Sequence, residues 1–318
     1  MTPTTRYPAS PYAEALDRVP VRPSVIAVLG GRTRYWDYGD RDADTTIVLV
    51  HGFRGDHHGL EPVVANLRGV RLISPDLPGF GESDPLGEAK HDIDGYARWL
   101  RAFVNELDLH GRFVILGHSF GSIVVSATLA GRGAPESQGA KSFDPAAVIL
   151  VNPIGQPALE GPRGVFTRLA IFYYWLGAAL PERLGFWLLR NGLIVRVMSI
   201  TMAKTKQKSL RRWIHDQHDR YFSAFSDRRV VLEAFKASVS HDVSEFAARI
   251  PEHTLLIAAE KDDITPLSAQ HRLQKLFPDA QLLVIPGVGH LIHYETPVEA
   301  ARAIEAFLST RSGEGDIR

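Results

Sequence analysis

The sequence predicts an α/β fold: a mostly parallel sheet of about eight strands, helices on both faces, and an inserted all-helical segment. Three observations predict it. Short apolar runs alternate with helical patterns at close spacing from Thr46 to Val151. Between residues 154 and 250 the strand-type runs vanish and helical spacing with many aromatics takes over. Strand-type sequence then returns at Thr254 and again at Gln281, each run followed by a helix signal.

Taken in order, residues 1–23 read as an N-terminal arm, loose to about residue 21. Val25–Leu29 and Thr33–Tyr38, joined by Gly30-Gly31, read as a hairpin at a sheet edge. Thr46–Val50 is a buried strand that ends in His51-Gly52-Phe53-Arg54-Gly55. A short helix over Leu60–Leu67 and a strand over Val70–Ser74 come next. The turn Asp76-Leu77-Pro78-Gly79-Phe80-Gly81-Glu82-Ser83 is too rich in Gly and Pro for regular structure. In Asp92–Leu107, Ile93, Tyr96, Leu100, Phe103 and Leu107 recur at helical spacing. Phe113–Leu116 is a strand, Gly117-His118-Ser119-Phe120-Gly121 a tight turn, and Ile123–Ala130 the next helix. Side chains at Gly117 and Gly121 would clash where strand and helix approach closely. Gly131–Asp144 reads as a mobile polar loop, and Ala146–Val151 as another buried strand. The insertion carries four or five helices. Beyond it, Thr265 reads as N-cap of a helix from Pro266 to Leu276. Thr296-Pro297-Val298-Glu299 reads as a capping box opening the last helix. The expected organisation is therefore an arm (1–23), a core in two parts (24–153 and 251–310), a helical cap (154–250) and a flexible tail (311–318).

Composition narrows the function. Among 318 residues, 36 Lys and Arg balance 36 Asp and Glu, so nothing points to nucleic acid as a partner. The chain has no cysteine, which excludes disulfides, thiolate metal sites and a cysteine nucleophile. No secretory signal is read at the N-terminus. The longest apolar run, Leu169–Leu180, falls short of the roughly 20 residues that span a bilayer. The expectation is a cytoplasmic protein without stable membrane insertion, with homo-oligomerisation left open.

Ligands on parallel sheets bind beyond the carboxyl ends of the strands. His51, Ser119, Asn152, Asp262 and His290 each follow a predicted strand, so all five fall on one rim. A serine hydroxyl needs a base beside it to act as nucleophile, and histidine is the natural base. His290, in the turn Pro286-Gly287-Val288-Gly289-His290, is the candidate. His51 and His118 are weaker candidates for the base; His51 is read as shaping the oxyanion loop, and His51, His118 and His293 are candidate pocket residues. The histidine in turn needs a carboxylate to fix its tautomer. Asp262 and Asp263 compete for that role, with Glu260 a weaker rival; Asp262 is favoured. The backbone N–H groups of Phe53 and Phe120 are placed to hold an oxyanion.

These motifs resemble those of the α/β-hydrolase superfamily, in the serine-nucleophile, esterase- and lipase-like branch with a helical cap after the sixth core strand. The likeness rests on His51-Gly52-Phe53, Asp76 through Ser83, Gly117-His118-Ser119-Phe120-Gly121, Asp262 through Pro266, and Gly289-His290, and it spans nearly the whole chain. The resemblance implies an α/β-hydrolase fold and the order Ser, Asp, His for the triad Ser119, Asp262 and His290. It also implies an acid four residues before a helix-starting proline, as Asp262 stands to Pro266. An acyl-enzyme mechanism on a small molecule with a hydrolysable carbonyl is implied in turn, without metal or organic cofactor. Ser119 argues against the epoxide hydrolases and haloalkane dehalogenases, which use aspartate. Carbon–carbon bond hydrolases and perhydrolases usually carry a second glycine where this chain has Ser122, and the former a tryptophan where it has Leu291-Ile292-His293-Tyr294. A carboxylic ester of small to medium apolar character is the first reading. A carbon–carbon bond hydrolase of ring-cleavage products, a thioesterase, an amidase and a non-catalytic binding scaffold are the rivals. In the cap, Trp175 and Trp187 are candidate pocket residues or packing between helices. Lys204, Lys206, Lys208, Arg211 and Arg212 read as a solvated basic face.

Overall fold

A computed structural model describes residues 7–134, 143–158 and 164–310. Most of the polar loop expected at 131–144 and the tail from residue 311 lie outside these. The described elements alternate in chain order. They begin with α1 (Ala13–Leu16), β1 (Val21–Val28), β2 (Gly31–Tyr38), β3 (Thr45–Val50), α2 (Glu61–Val64) and β4 (Arg71–Pro75). Next come α3 (Ile93–Glu106), β5 (Arg112–His118), α4 (Phe120–Leu129) and β6 (Ala147–Val151). Five helices succeed them without a strand: α5 (Gly164–Ala179), α6 (Glu182–Leu189), α7 (Gly192–Met202), α8 (Lys208–Tyr221) and α9 (Arg228–Ser240). The chain closes with β7 (Thr254–Ala259), α10 (Leu267–Gln274), β8 (Ala280–Ile285), α11 (Ile292–Glu295) and α12 (Pro297–Ser309).

The eight strands form one sheet in the order β1-β2-β4-β3-β5-β6-β7-β8. β1–β2 and β2–β4 pair antiparallel; every pairing from β4 through β3 to β8 is parallel. The central strands are apolar at nearly every position because both faces are covered. Val48, Val50 and Ile115 enter a core shared with α3, α4 and the cap. Ile47, Leu49, Val114 and Leu116 point the other way, against α2 and α12. β1 and β8, at the edges, alternate between exposed and half-buried instead. After β3 the chain moves outward to β4, then returns to the other side of β3 for β5. That reversal opens a crevice at the strands' carboxyl ends, between the loops after β3 and β5.

Several local expectations are corrected. The chain from Tyr12 is not loose: its hydroxyl donates to the Tyr294 carbonyl at 2.7 Å and its ring packs edge-on against Trp213. Thr265 does not cap α10; its hydroxyl bonds Asp262 at 2.8 Å, and Pro266 takes the N-cap position. Thr296 precedes α12 without a side-chain capping bond, so the box with Glu299 does not form. By contrast Asp92 caps α3 as a carboxylate should, accepting from Gly95 N–H at 2.9 Å.

Candidate active site

The site is built on the turn from β5 into α4. Ser119 has φ 53° and ψ −118°, a strained backbone conformation outside the usual regions for a residue with a side chain. Two close approaches hold it there. A Cβ on Gly117 would stand 2.6 Å from the Gly121 carbonyl oxygen, and one on Gly121 would stand 2.2 Å from that of Val50. Only glycine lets the strand, the turn and β3 come together. Ser122, which in sequence is merely a missing glycine, adds a lock. Its hydroxyl donates to the Ser119 carbonyl at 2.5 Å and accepts from Ile154 N–H at 3.2 Å, tying the turn to the exit of β6.

Ser119 Oγ lies 2.8 Å from His290 Nε2, and His290 Nδ1 lies 2.8 Å from Asp262 Oδ2. The carboxylate is fully engaged. Oδ2 also accepts from Asn152 Nδ2 at 2.9 Å and from the Thr265 hydroxyl at 2.8 Å. Oδ1 accepts from Ile264 N–H at 2.7 Å and Thr265 N–H at 3.1 Å. Burial alone would raise the Asp262 carboxyl; the His290 charge and hydrogen bond, with the Thr265 bonds, outweigh it and hold the group well below the usual carboxylate range. The rival carboxylates point elsewhere. Asp263 is exposed and pairs with Lys204 of the cap, while Glu260 accepts from Gly287 N–H at 2.7 Å and orders the turn before His290. Lys204 is therefore no solvated charge, and Arg211 likewise turns back onto the Thr205 carbonyl.

The loop after β3 reaches over the serine. A Cβ on Gly52 would stand 3.2 Å from both Ser119 Cβ and His118 Nδ1. His51 fixes this loop: its Nε2 accepts from Leu77 N–H at 2.8 Å, so its Nδ1 carries the proton to the Gly52 carbonyl, also at 2.8 Å. Burial lowers its pKa, in keeping with a neutral ring. Asp76 bonds His57 N–H and Nδ1 on one side and Glu82 N–H on the other, pinning the Gly-Pro-rich turn to the same loop. Phe53 sits among Phe80, Phe120, Tyr174 and Phe235, and Phe120 continues the cluster toward Tyr96.

The strongest tie between this loop and the cap is not visible in the sequence. Arg54, at φ 60° and 1% exposed, donates to the carbonyls of Phe222 at 2.7 Å and Leu189 at 2.9 Å. It also lies over the Phe222 and Phe225 rings. Arg54→Met leaves the buried Leu189 carbonyl and the half-buried Phe222 carbonyl without this partner and is expected to lower stability by about 3 kcal/mol. Thermal denaturation beside Arg54→Lys checks this; a melting temperature equal to that of the parent chain would refute it.

Ser119 and His290 line a mostly apolar cavity of about 180 Å³. His51, His118 and His293 border it, with Met198 and Met202 of α7 and Phe222 and Tyr294 opposite. Burial, then the neighbouring His290 charge, pushes His118 down to about 3; burial, then the charges of His118 and His290, lower His293. Trp175 and Trp187 do not border it: they are 51% and 65% exposed on the outer side of the cap. No Lys or Arg lines this cavity among the described residues. A second serine–histidine contact lies in the cap, where Ser199 Oγ bonds His215 Nδ1 at 2.6 Å and His218 Nδ1 at 2.7 Å. Ser199 is fully buried, and among the described residues no carboxylate bonds either histidine, so the contact lacks the parts of a nucleophilic site. Asp56, His57 and His58 bring ligand-type atoms within 4.8 Å of one another. They are already committed: His57 to Asp76 and to a stack on Trp36 at 3.2 Å, and His58 to Asp56.

Comparison with known proteins agrees with this fold. A 290-residue alignment with the dihydrolipoyllysine-residue acetyltransferase component of the acetoin cleaving system of Pseudomonas putida is 28% identical, covering 89% of this chain and 68% of that one. The 2-hydroxy-6-oxo-6-(2'-aminophenyl)hexa-2,4-dienoic acid hydrolase of Metapseudomonas resinovorans is 24% identical, with 89% of each chain covered. The fold matches that of an esterase from Exiguobacterium antarcticum with a TM-score of 0.70 at 16% identity, covering 91% of this chain and all of the other. The profile of the alpha/beta hydrolase family matches residues 47–303, from β3 into α12, and the chain belongs to that family.

Proposed function

We propose that this chain is a cytoplasmic serine hydrolase that cleaves a small, uncharged carboxylic ester through an acyl-enzyme on Ser119. The observation that carries the reading is the relay Ser119–His290–Asp262, with both hydrogen bonds at 2.8 Å, on the wall of an apolar cavity. In the first step His290 Nε2 takes the Ser119 proton as Oγ bonds to the ester carbonyl carbon. The oxyanion that forms is held by the N–H groups of Phe53 and Phe120. His290 then returns the proton to the departing alkoxide. Water, deprotonated by the same imidazole, attacks the acyl-enzyme and regenerates Ser119. Asp262 stays ionised throughout and stabilises the imidazolium.

The cavity supports the substrate class. With no Lys or Arg lining it among the described residues, with His118 and His293 held neutral and with the Asp56 carboxylate on its wall, it offers no fixed positive charge to a substrate carboxylate. That weighs against ring-cleavage dienoic acids and for an uncharged acyl group of few carbons, since about 180 Å³ is small for a ligand site. The test is turnover of p-nitrophenyl esters from acetyl to palmitoyl, with fluorophosphonate labelling located by peptide mass. Turnover that peaks at short chains, with the label on Ser119, is the expected result. Absence of both label and turnover in folded protein would remove the reading.

A further inference from the structure

Fifteen large apolar side chains are exposed among the described residues, and eight of them fall between Leu169 and Ile200. They include Leu169, Phe172 and Trp175 on α5, Trp187 on α6, and Leu193 and Ile200 on α7, 51% to 73% exposed. The three helices are consecutive. α5 packs on α6 where Gly177 meets Leu189, and α6 turns into α7 at Arg190-Asn191. Exposed apolar side chains concentrated in one segment mark an interaction surface, where singly scattered ones would not. Glu182–Met202 is 21 residues long and apolar enough to cross a bilayer by average composition, although Arg190 and Arg196 interrupt it. It does not form one straight helix with lipid on every side. Asn191 caps α7, and Gly185, Leu189, Val195 and Ser199 are buried against the protein. Its free side suits the plane of an interface instead.

Charge says what covers this face. Residues 164–212 carry nine Lys and Arg (Arg168, Arg183, Arg190, Arg196, Lys204, Lys206, Lys208, Arg211, Arg212) against the single acid Glu182. The whole chain balances 36 against 36, so the remainder holds 27 cations and 35 anions. The excess positive charge thus sits on α5–α7, with four of these arginines, and on the turn into α8 and its first turn, with the other five; Arg168, Arg183, Lys206, Lys208 and Arg212 are exposed. Two copies of so positive a face repel, which disfavours self-association. We propose that the outer face of α5–α7 docks on an anionic phospholipid bilayer, apolar side chains entering the headgroup boundary and the cations meeting lipid phosphates. Met198 and Met202 of α7 line the cavity while Leu193 and Ile200 of the same helix face outward. The docked bilayer would then lie about one helix diameter, ~10 Å, from the cavity. This inference does not rest on the proposed chemistry.

Flotation of the whole chain with vesicles tests it. Wild type is expected to bind phosphatidylcholine vesicles containing about 30% phosphatidylglycerol at least about tenfold better than phosphatidylcholine alone, and to lose that gain at about 0.5 M salt. Joint substitution of Trp187→Ser, Leu193→Ser and Ile200→Ser should weaken binding by about tenfold or more with the melting temperature unchanged. Lys206→Glu with Lys208→Glu and Arg212→Glu should abolish the preference for anionic lipid, which keeps the test decisive should the first variant not fold. Failure of wild type to bind either vesicle, equal binding to both, or undiminished binding of both variants would overturn the proposal. So would self-association of wild type, lost in the first variant, without vesicle binding.

Discussion

Ser119→Ala is expected to lower kcat/KM on an activated ester by about 10⁶, and Asp262→Asn by about 10⁴, with the fold intact in the first case. In the proposed mechanism the serine loss removes the group that forms the acyl-enzyme. The asparagine loss stems from the five hydrogen bonds that Asp262 accepts. Oδ1 faces two backbone N–H groups and Oδ2 faces Asn152 Nδ2, the Thr265 hydroxyl and His290 Nδ1. An amide has one oxygen and one NH₂ group. If the NH₂ takes the Oδ1 position, it opposes the N–H groups of Ile264 and Thr265 and strains the loop. If it takes the Oδ2 position, it opposes Asn152 and donates to His290 Nδ1, which moves the imidazole proton to Nε2. A protonated Nε2 on a neutral ring cannot accept the Ser119 proton. Asn152→Ala, which removes one donor and leaves the carboxylate, should cost far less. Steady-state kinetics and the rate of fluorophosphonate labelling measure both. Wild-type turnover in Asp262→Asn would show that Asp262 does not set the tautomer.

Those contacts also show which parts of the site are legible in the sequence. The turn at Ser119 announces itself locally, because two glycines two residues away are required by atoms within the same turn and the adjoining strand. The strand ends that carry His51, Asp262 and His290 are legible from apolar runs alone. Asn152 reads only as an uncharged residue at a strand end, and its bond to Asp262 spans 110 positions, a pairing no local pattern encodes. Thr265 resembles a helix cap because a threonine before proline usually is one; here the nearby carboxylate outcompetes the orphan N–H groups of α10. Arg54 stands directly after the His51-Gly52-Phe53 motif, yet its partners, Leu189 and Phe222, come from the insertion. Trp175 and Trp187 are legible as more aromatic surface than packing needs. Which way they face depends on how α5 and α6 seat on the core, and that is settled by Gly177, Leu189 and Tyr174, not by the tryptophans.

The chain is expected to lose stability steeply as pH falls below about 6.5. Burial lowers His51, His118, His218 and His293, with nearby histidine or arginine charges adding to it at His118, His218 and His293; His118 and His218 reach about 3. Each is neutral in the fold at neutral pH, and each regains an ordinary pKa near ~6.5 on unfolding. Between those limits the unfolded chain binds more protons than the folded one. Stability is therefore fully present above about pH 6.5 and falls as pH drops toward 3, by about 1.4 kcal/mol per pH unit for each such histidine. Two of them already give about 3 kcal/mol per unit, against a typical total of about 5–15 kcal/mol. His58 works the other way, since the hydrogen bond and charge of Asp56 outweigh its burial and raise it, and burial raises Glu61, Glu252 and Glu295; against these stand six lowered histidines, because burial lowers His91 and His215 as well. Asp76 and Asp262 add to the loss only lower down, because burial would raise them while His57 and His290 respectively hold them low. Melting temperatures from pH 8 to pH 5 should be level above about 7 and decline from about 6.5. A level profile down to pH 5 would mean these rings are not neutral in the fold. The His118–His293 contact, with ring centroids 4.2 Å apart beside His290, makes the expected direction hard to escape. Protonating both rings places two like charges against each other in a buried cavity wall, next to a third histidine, so unfolding becomes the easier way to take up the protons.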